Sequence, residues 1–157
     1  MEVARVSVRI GTNADIPYVL DLGKRCVMAS VSGFRTPIRA MVDVSFERLV
    51  AYVSEQSHVI LIAESADAPA GFLLLLDTMP DEVTLLPQAF VAYMAVEPDM
   101  RRRGAAKAML AEAESYARRN HLPTLSMMVT EENTPATSLY AQAGFFTERR
   151  MLTKVLT

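Results

Sequence analysis

Tryptophan is absent from the 157 residues, and cysteine occurs once, at Cys26. A lone thiol cannot close an internal disulfide and has no second thiol for a CxxC redox or zinc pair. The expectation is therefore a cytoplasmic protein in a reducing compartment, with no metal. Long apolar runs are also missing. Val59 to Ala63 and Phe72 to Leu76 are about five residues each, far short of the roughly 20 that span a bilayer, so no membrane partner is expected. The first ten residues lack an apolar core followed by a small-residue cleavage site and do not read as a secretory signal. Charge of one sign is missing too: 16 Lys and Arg stand against 18 Asp and Glu, a formal charge of −2. That balance argues against nucleic acid as the main partner. Repeats, low-complexity tracts and flexible linkers do not occur, so residues 1–157 read as a single domain. A chain of this size buries roughly 70% of its unfolded surface and needs no staple. The excess is in methionine, ten residues. Most suit a core, while Met28 and Met79, near polar loops, suit a pliable apolar pocket.

The pattern along the chain predicts a mixed α/β fold. Val6 to Ile10 alternates as a half-buried strand does, and Gly11 ends it. Thr12 and Asp15 both suit the cap of a first helix; Pro17, tolerated in a first turn, favours the start at Asp15. Ile16, Val19, Leu20, Gly23 and Val27 would share a face. A loop is expected over Gly33 to Ala40 and a second helix over Ser45 to Ser54. Strands at His58 to Ala63 and Ala70 to Leu76 form a hairpin around the turn Glu64 to Pro69. After a loop from Asp77 to Gln88, a fourth strand spans Ala89 to Val96. Gly104 to Arg119 has a helical apolar face with Ala105, Ala108, Met109, Ala113, Tyr116 and Ala117. Thr124 to Thr130 reads as a strand. Thr134 as cap with Pro135 at the first helical position opens a short helix carrying Ala136, Leu139, Tyr140 and Ala143 inward, and Gly144 closes it. Phe145 to Val155 reads as a final strand. The expected architecture is a sheet of about six strands flanked by about four helices.

One stretch carries chemistry. Between the fourth strand and its helix lies Glu97-Pro98-Asp99-Met100-Arg101-Arg102-Arg103-Gly104-Ala105-Ala106-Lys107. A helix start offers unpaired N–H groups and a positive dipole end, and the small residues Gly104, Ala105 and Ala106 let an anion reach them. Arg101, Arg102, Arg103 and Lys107 gather around the same point; Glu97 and Asp99 offset about half of their charge. Arginines at a positive helix end imply an anionic ligand of pyrophosphate type, since the end itself prefers acids. Neither GxGxxG nor GxxxxGK[ST] is present, so this is not the dinucleotide fingerprint or the P-loop.

Arg101-x-x-Gly104-x-Ala106 resembles the Q/R-x-x-G-x-G/A signature of the GNAT superfamily of N-acetyltransferases. Asn133-Thr134-Pro135-Ala136-Thr137-Ser138-Leu139-Tyr140-Ala141-Gln142-Ala143-Gly144-Phe145 is similar to that family's N-x-x-A-x-x-L-Y-x-x-x-G-F segment at every named position. Arg9-Ile10-Gly11-Thr12 through Asp15 is similar to its first strand and helix start. The resemblance spans about residues 7 to 155. It implies acetyl-CoA as co-substrate and an amine-bearing acceptor, small molecule or peptide. Its pantetheine arm would lie along Met94, Ala95 and Val96, its pyrophosphate on the backbone from Arg102 to Lys107, with a hydrogen bond from Asn133. Tyr140, otherwise a core-facing aromatic, would protonate the departing thiolate. Dimers are common in the family, and a homodimer is one expectation.

The chain departs from the pattern in one place. The family often has a glutamate on the fourth strand to deprotonate the amine, yet Phe90, Val91, Ala92, Tyr93 and Met94 include no carboxylate. Glu131 is the candidate base by topology, with Glu132, Tyr93 or a water chain as alternatives. The same gap leaves open a module that binds acyl-CoA without turnover. The loops Ser30 to Ala40 and Asp77 to Gln88 would frame the acceptor site, the second bringing Asp77, Asp81 and Glu82 for a cationic amine.

Overall fold

The computed structural model describes residues 5–157; the first four residues of the N-terminal stretch read above lie outside the described residues. Five strands form one sheet in the order β1-β2-β3-β4-β5: Val6–Ile10, His58–Ser65, Ala68–Leu76, Ala89–Val96 and Leu125–Met127. The first four are antiparallel neighbours, and β5 joins β4 in parallel. Four helices flank the sheet: α1, Ile16–Cys26; α2, Arg39–Glu55; α3, Ala105–Arg119; α4, Thr134–Gln142. No helix among the described residues is long and apolar enough to cross a membrane.

Runs such as Ile60-Leu61-Ile62 and Leu73-Leu74-Leu75 are apolar without alternation because both faces of the sheet are covered. Val59, Leu61, Leu73 and Leu75 pack with Met109, Leu110 and Ala113 of α3. Ile60, Ile62, Phe72 and Leu74 pack on the opposite face with Val19 and Leu22 of α1 and Phe46, Val50 and Val53 of α2. In β4 the ladder with β3 slips between Leu74 and Leu75, pairing Leu74 with Tyr93 but Leu75 with Val91, so Ala92 is an extra residue. Before this bulge Ala89 and Val91 lie in the α3 cluster; after it Met94 and Val96 do, and Tyr93 and Ala95 join the α1–α2 cluster.

The first helix begins as expected but uses both caps. A 3-10 turn, Asn13–Asp15, precedes α1, and Thr12 and Asp15 bond each other's backbone reciprocally. Asp15 also accepts from Arg9 at 2.8 and 3.0 Å, and Arg9 reaches Glu64 at 3.0 Å, tying the turn to β1 and β2. The Arg9 guanidinium, helped by the Thr12 N–H, holds the Asp15 carboxyl below its usual range. A depressed folded-state pKa contributes stability above the ordinary value of 3.8 that disappears as pH falls through the folded value. The urea midpoints of the parent and Asp15→Asn should therefore converge below about pH 4; a gap that stays constant down to pH 2 would contradict this.

Five sequence expectations need correction. The fifth strand is Leu125–Met127, less than half of the expected Thr124 to Thr130. The second helix starts at Arg39, not Ser45; only Phe46, Val50 and Val53 are buried, so its first two turns carry no core-facing periodicity to read. The α4 cap is Asn133, whose side chain accepts from the Ala136 N–H at 3.4 Å, and Thr134 is already helical. Ala143 follows that helix as an exposed C-cap and does not face inward. No strand forms over Phe145 to Val155, leaving five strands where about six were expected. The polar run Thr147 to Arg150 interrupts its apolar pattern, β5 offers only three residues of edge, and Arg149 pairs instead with Asp81 at 2.8 Å.

Candidate active site at the free edge of β4

Strand β5 stops opposite Val91, through the pair Val91–Met127, so β4 from Ala92 to Val96 has no strand beside it on that side. Met94, Ala95 and Val96 are thus available for backbone pairing with an extended ligand. Immediately beyond, the 3-10 turn Pro98–Met100 leads into Arg101 to Gly104 and the start of α3. Arg102 and Gly104 both adopt left-handed backbone, φ +62° and +88°, which makes the reversal. Gly104 is the N-cap of α3 and has no side chain to cap it. Among the described residues, the N–H groups of Ala105, Ala106 and Lys107 have no hydrogen-bond acceptor, while that of Ala108 bonds the Gly104 carbonyl at 2.9 Å. A Cβ built on Gly104 would meet nothing within 4 Å, so the space in front of these donors is open.

The cations around this helix start are not neutralised by the protein. Arg101, Arg102, Arg103 and Lys107 form no salt bridge among the described residues. Glu97, which the sequence count set against them, is held by Arg25 at 2.9 and 3.0 Å, and that guanidinium lowers its pKa. Arg101 Nη2 lies 3.8 Å from Cys26 Sγ. An uncapped helix start, open backbone and unpaired cations are together fitted to a phosphorylated ligand.

Tyr93 and Tyr140 stand on either side of the edge. Tyr93, turned to the α1–α2 face by the bulge, packs edge-on against Phe46 with centroids 5.0 Å apart. Burial raises its phenol pKa, and the Ser30 hydroxyl beside it offsets part of that rise. Tyr140 packs at 65° against Phe145, with centroids 6.0 Å apart, and burial alone raises its pKa. Both phenols therefore remain protonated through neutral pH. Asn133 uses its side-chain oxygen within its own helix cap, leaving its amide N–H₂ free among the described residues. Glu131 lies exposed on the turn after β5 with no side-chain hydrogen bond or ion pair among the described residues, whereas Glu132 accepts from the Gly33 N–H at 2.8 Å.

Two of the three acids expected for an amine have partners elsewhere, and the third, Glu82, is exposed with Arg149 3.8 Å away. Asp77 accepts from the Tyr116 hydroxyl at 2.6 Å, which pushes that phenol up to about 12. Asp81 is held by Arg149 and by Thr84, which drive its pKa well down. The loop Ser30 to Ala40 does line a cleft. With the start of α2 and residues 153–155, it encloses about 760 Å³ bordered by Val27 and Ser30. Periodicity could not have shown this cleft, because its walls come from loop residues that only tertiary packing assembles.

The family model of the acetyltransferase (GNAT) family matches residues 34–145. The chain belongs to this family. No curated protein matches it in sequence. Among solved structures it resembles a protein assigned as an acetyl transferase from Pyrococcus furiosus, at TM-score 0.83 and 20% identity, covering 97% of this chain and 100% of that one. It also resembles the ribosomal-protein-alanine N-acetyltransferase of Brucella melitensis biovar Abortus 2308, at TM-score 0.70 and 20% identity over 96% and 99% of the two chains. The aminoglycoside N-acetyltransferase AAC(6')-Iy, crystallised with CoA, aligns at TM-score 0.69 and 16% identity over 99% and 97%. At these identities the structures show a shared fold.

Proposed function

We propose that the chain is an acetyl-CoA-dependent N-acetyltransferase that moves an acetyl group directly to a primary amine. The observation that carries this is the uncapped start of α3, with unpaired Arg101, Arg102, Arg103 and Lys107, set at the end of the free edge of β4. The backbone from Arg102 to Lys107 would hold the pyrophosphate, and Met94, Ala95 and Val96 would pair with the pantetheine amides. The Asn133 side chain supplies a further polar contact. Two aminoglycoside N-acetyltransferase complexes of the same fold contain CoA, which supports the assignment of this edge.

Acetyl-CoA, when bound, supplies an acetyl group activated as a thioester. The amine nitrogen bonds to the acetyl carbon as the C–S bond breaks, and the sulfur departs with that electron pair. Tyr140, kept protonated by burial, gives the sulfur its phenolic proton. The proton lost by the ammonium before attack passes to Glu131, through water where the amine lies too far for contact, and the second N–H proton, lost as the amide forms, returns through water to the Tyr140 phenolate. Burial keeps Tyr93 in its neutral phenol form, so its phenolate is not populated to accept that proton.

Calorimetry with acetyl-CoA tests the first half of this reading, and no heat of binding at millimolar cofactor would defeat it. Thiol release across a panel of amines tests the second. Tyr140→Phe should lower kcat by about 100-fold and leave acetyl-CoA binding and Tm essentially unchanged. An unchanged kcat would remove Tyr140 from the chemistry. Binding without thiol release from any amine would leave a cofactor-binding module.

A further inference from the structure

The cleft between the end of α1 and the start of α2 has a composition that selects among amines. It meets the catalytic edge through Val27, which lines it and packs in the same cluster as Tyr93, and through Ser30, which bears on the Tyr93 phenol. Its wall is apolar at Val31, Phe34, Ile38 and Met41, and Ile38 and Met41 are more than 60% exposed. Surfaces of this kind are covered when a ligand or partner is present. The charged side chains in the lining are Arg35 and Lys154; no carboxylate is among the lining residues.

Both cations lack an ion pair among the described residues, and Arg35 stacks over the Phe34 ring with its guanidinium carbon 5.2 Å from the centroid. Among the acids of the flanking segments, Glu131 is kept for the ammonium proton, and the others have partners. Asp43 pairs with Arg39 at 3.0 Å, and Glu132 accepts from the Gly33 N–H. Asp77 and Asp81 bond Tyr116 and Arg149. A polycationic acceptor would enter an apolar cleft edged by two like charges, with no carboxylate in its lining for the charges beyond the reacting amine. An acceptor with an apolar body and a carboxylate remote from its amine satisfies the wall and both cations together.

We infer that the acceptor is a small amine joined through an apolar body to a carboxylate, of the type of a short apolar peptide, and that Arg35 and Lys154 receive the carboxylate while Phe34, Ile38 and Met41 cover the body. This rests on the reading of the free β4 edge as an acetyl-transfer site. The amine would face Ser30 and Tyr93, and the carboxylate Arg35 and Lys154. The acyl-transfer bond changes are those given above; nothing further is consumed.

The test compares Leu-Leu, its C-terminal amide, free leucine and the polycation neamine as acceptors, with acetyl-CoA binding measured on the same protein. Calorimetry with N-acetyl-Leu-Leu and with its C-terminal amide gives a second readout that needs no turnover. The expected result is a kcat/KM for Leu-Leu at least 10-fold above that for its amide and for neamine. N-acetyl-Leu-Leu should bind at least 10-fold tighter than its amide. Arg35→Glu, an exposed substitution, should erase or reverse the acid-over-amide preference while leaving acetyl-CoA binding intact, and Lys154→Glu should act in the same direction. Equal values for acid and amide, better turnover of neamine, or no binding of either acetylated peptide overturns the inference. A preference for free leucine over Leu-Leu moves the carboxylate next to the amine and overturns its remote placement. Failure to bind acetyl-CoA would instead overturn the transferase reading itself.

Discussion

Gly104→Asp is expected to weaken acetyl-CoA binding by at least about 100-fold, equivalent to about 2.7 kcal/mol. Two effects contribute, and they can be separated. Gly104 sits at φ +88°, where a side chain strains the backbone, although Asp and Asn tolerate this region better than most residues. The Cβ itself meets nothing within 4 Å, so packing in the free protein is unaffected. What changes is the sign of the charge in front of the Ala105, Ala106 and Lys107 N–H groups. Gly104→Asn has the same shape and the same backbone tolerance without the charge. It should lose less than about 10-fold, within about 1.4 kcal/mol. The difference between Asp and Asn, measured by calorimetry at fixed ionic strength, isolates anion binding at the helix start. Equal losses for the two variants would mean that strain, and not phosphate recognition, explains the glycine.

The second large effect falls on stability. A Cβ added at Gly23 in α1 would lie 2.0 Å from both Cε1 and Cζ of Phe46 in α2. The ring cannot retreat freely, since it is buried and its edge rests on Tyr93. Gly23→Ala should therefore cost about 3 kcal/mol and lower Tm by about 6–12 °C, despite the better helix propensity of alanine. Adding Phe46→Leu should recover part of the loss, because the shorter side chain makes room; a double-mutant cycle reads that coupling directly. A neutral Gly23→Ala would show that α1 and α2 do not approach as closely as the structure has them.

Much of the fold was legible because local chemistry and tertiary packing agree. Strand β4 lies where its composition placed it, and α3 follows the face of Ala105, Met109, Ala113 and Ala117, with Leu110 added. The basic turn was legible because cations at a positive helix end conflict with local electrostatics. Other features depend on partners that the sequence does not reveal. Arg39 to Val44 forms the exposed start of α2, so its helical state leaves no apolar period. Asp77 and Asp81 looked available to an amine until Tyr116 and Arg149 were found against them. Phe145 to Val155 has strand-forming residues but lacks an adequate edge to pair with. The cleft at Phe34, Ile38 and Met41 looked like an ordinary loop followed by helix, and its cations gain meaning only from the carboxylates that are elsewhere.

The bulge at Ala92 makes residue count along β4 as important as residue identity. Deleting Ala92 would remove the bulge and leave every later residue on its present face, Tyr93 and Ala95 toward α1 and α2 and Met94 and Val96 toward α3. A residue inserted just after Tyr93 would instead rotate Met94, Ala95 and Val96 by one face, which no point substitution in the strand does. Tolerance at this strand should therefore differ sharply between a deletion at the bulge and an insertion beyond it. Which side of the β4 edge each of its last three residues faces is thus set by how many residues separate them from the bulge.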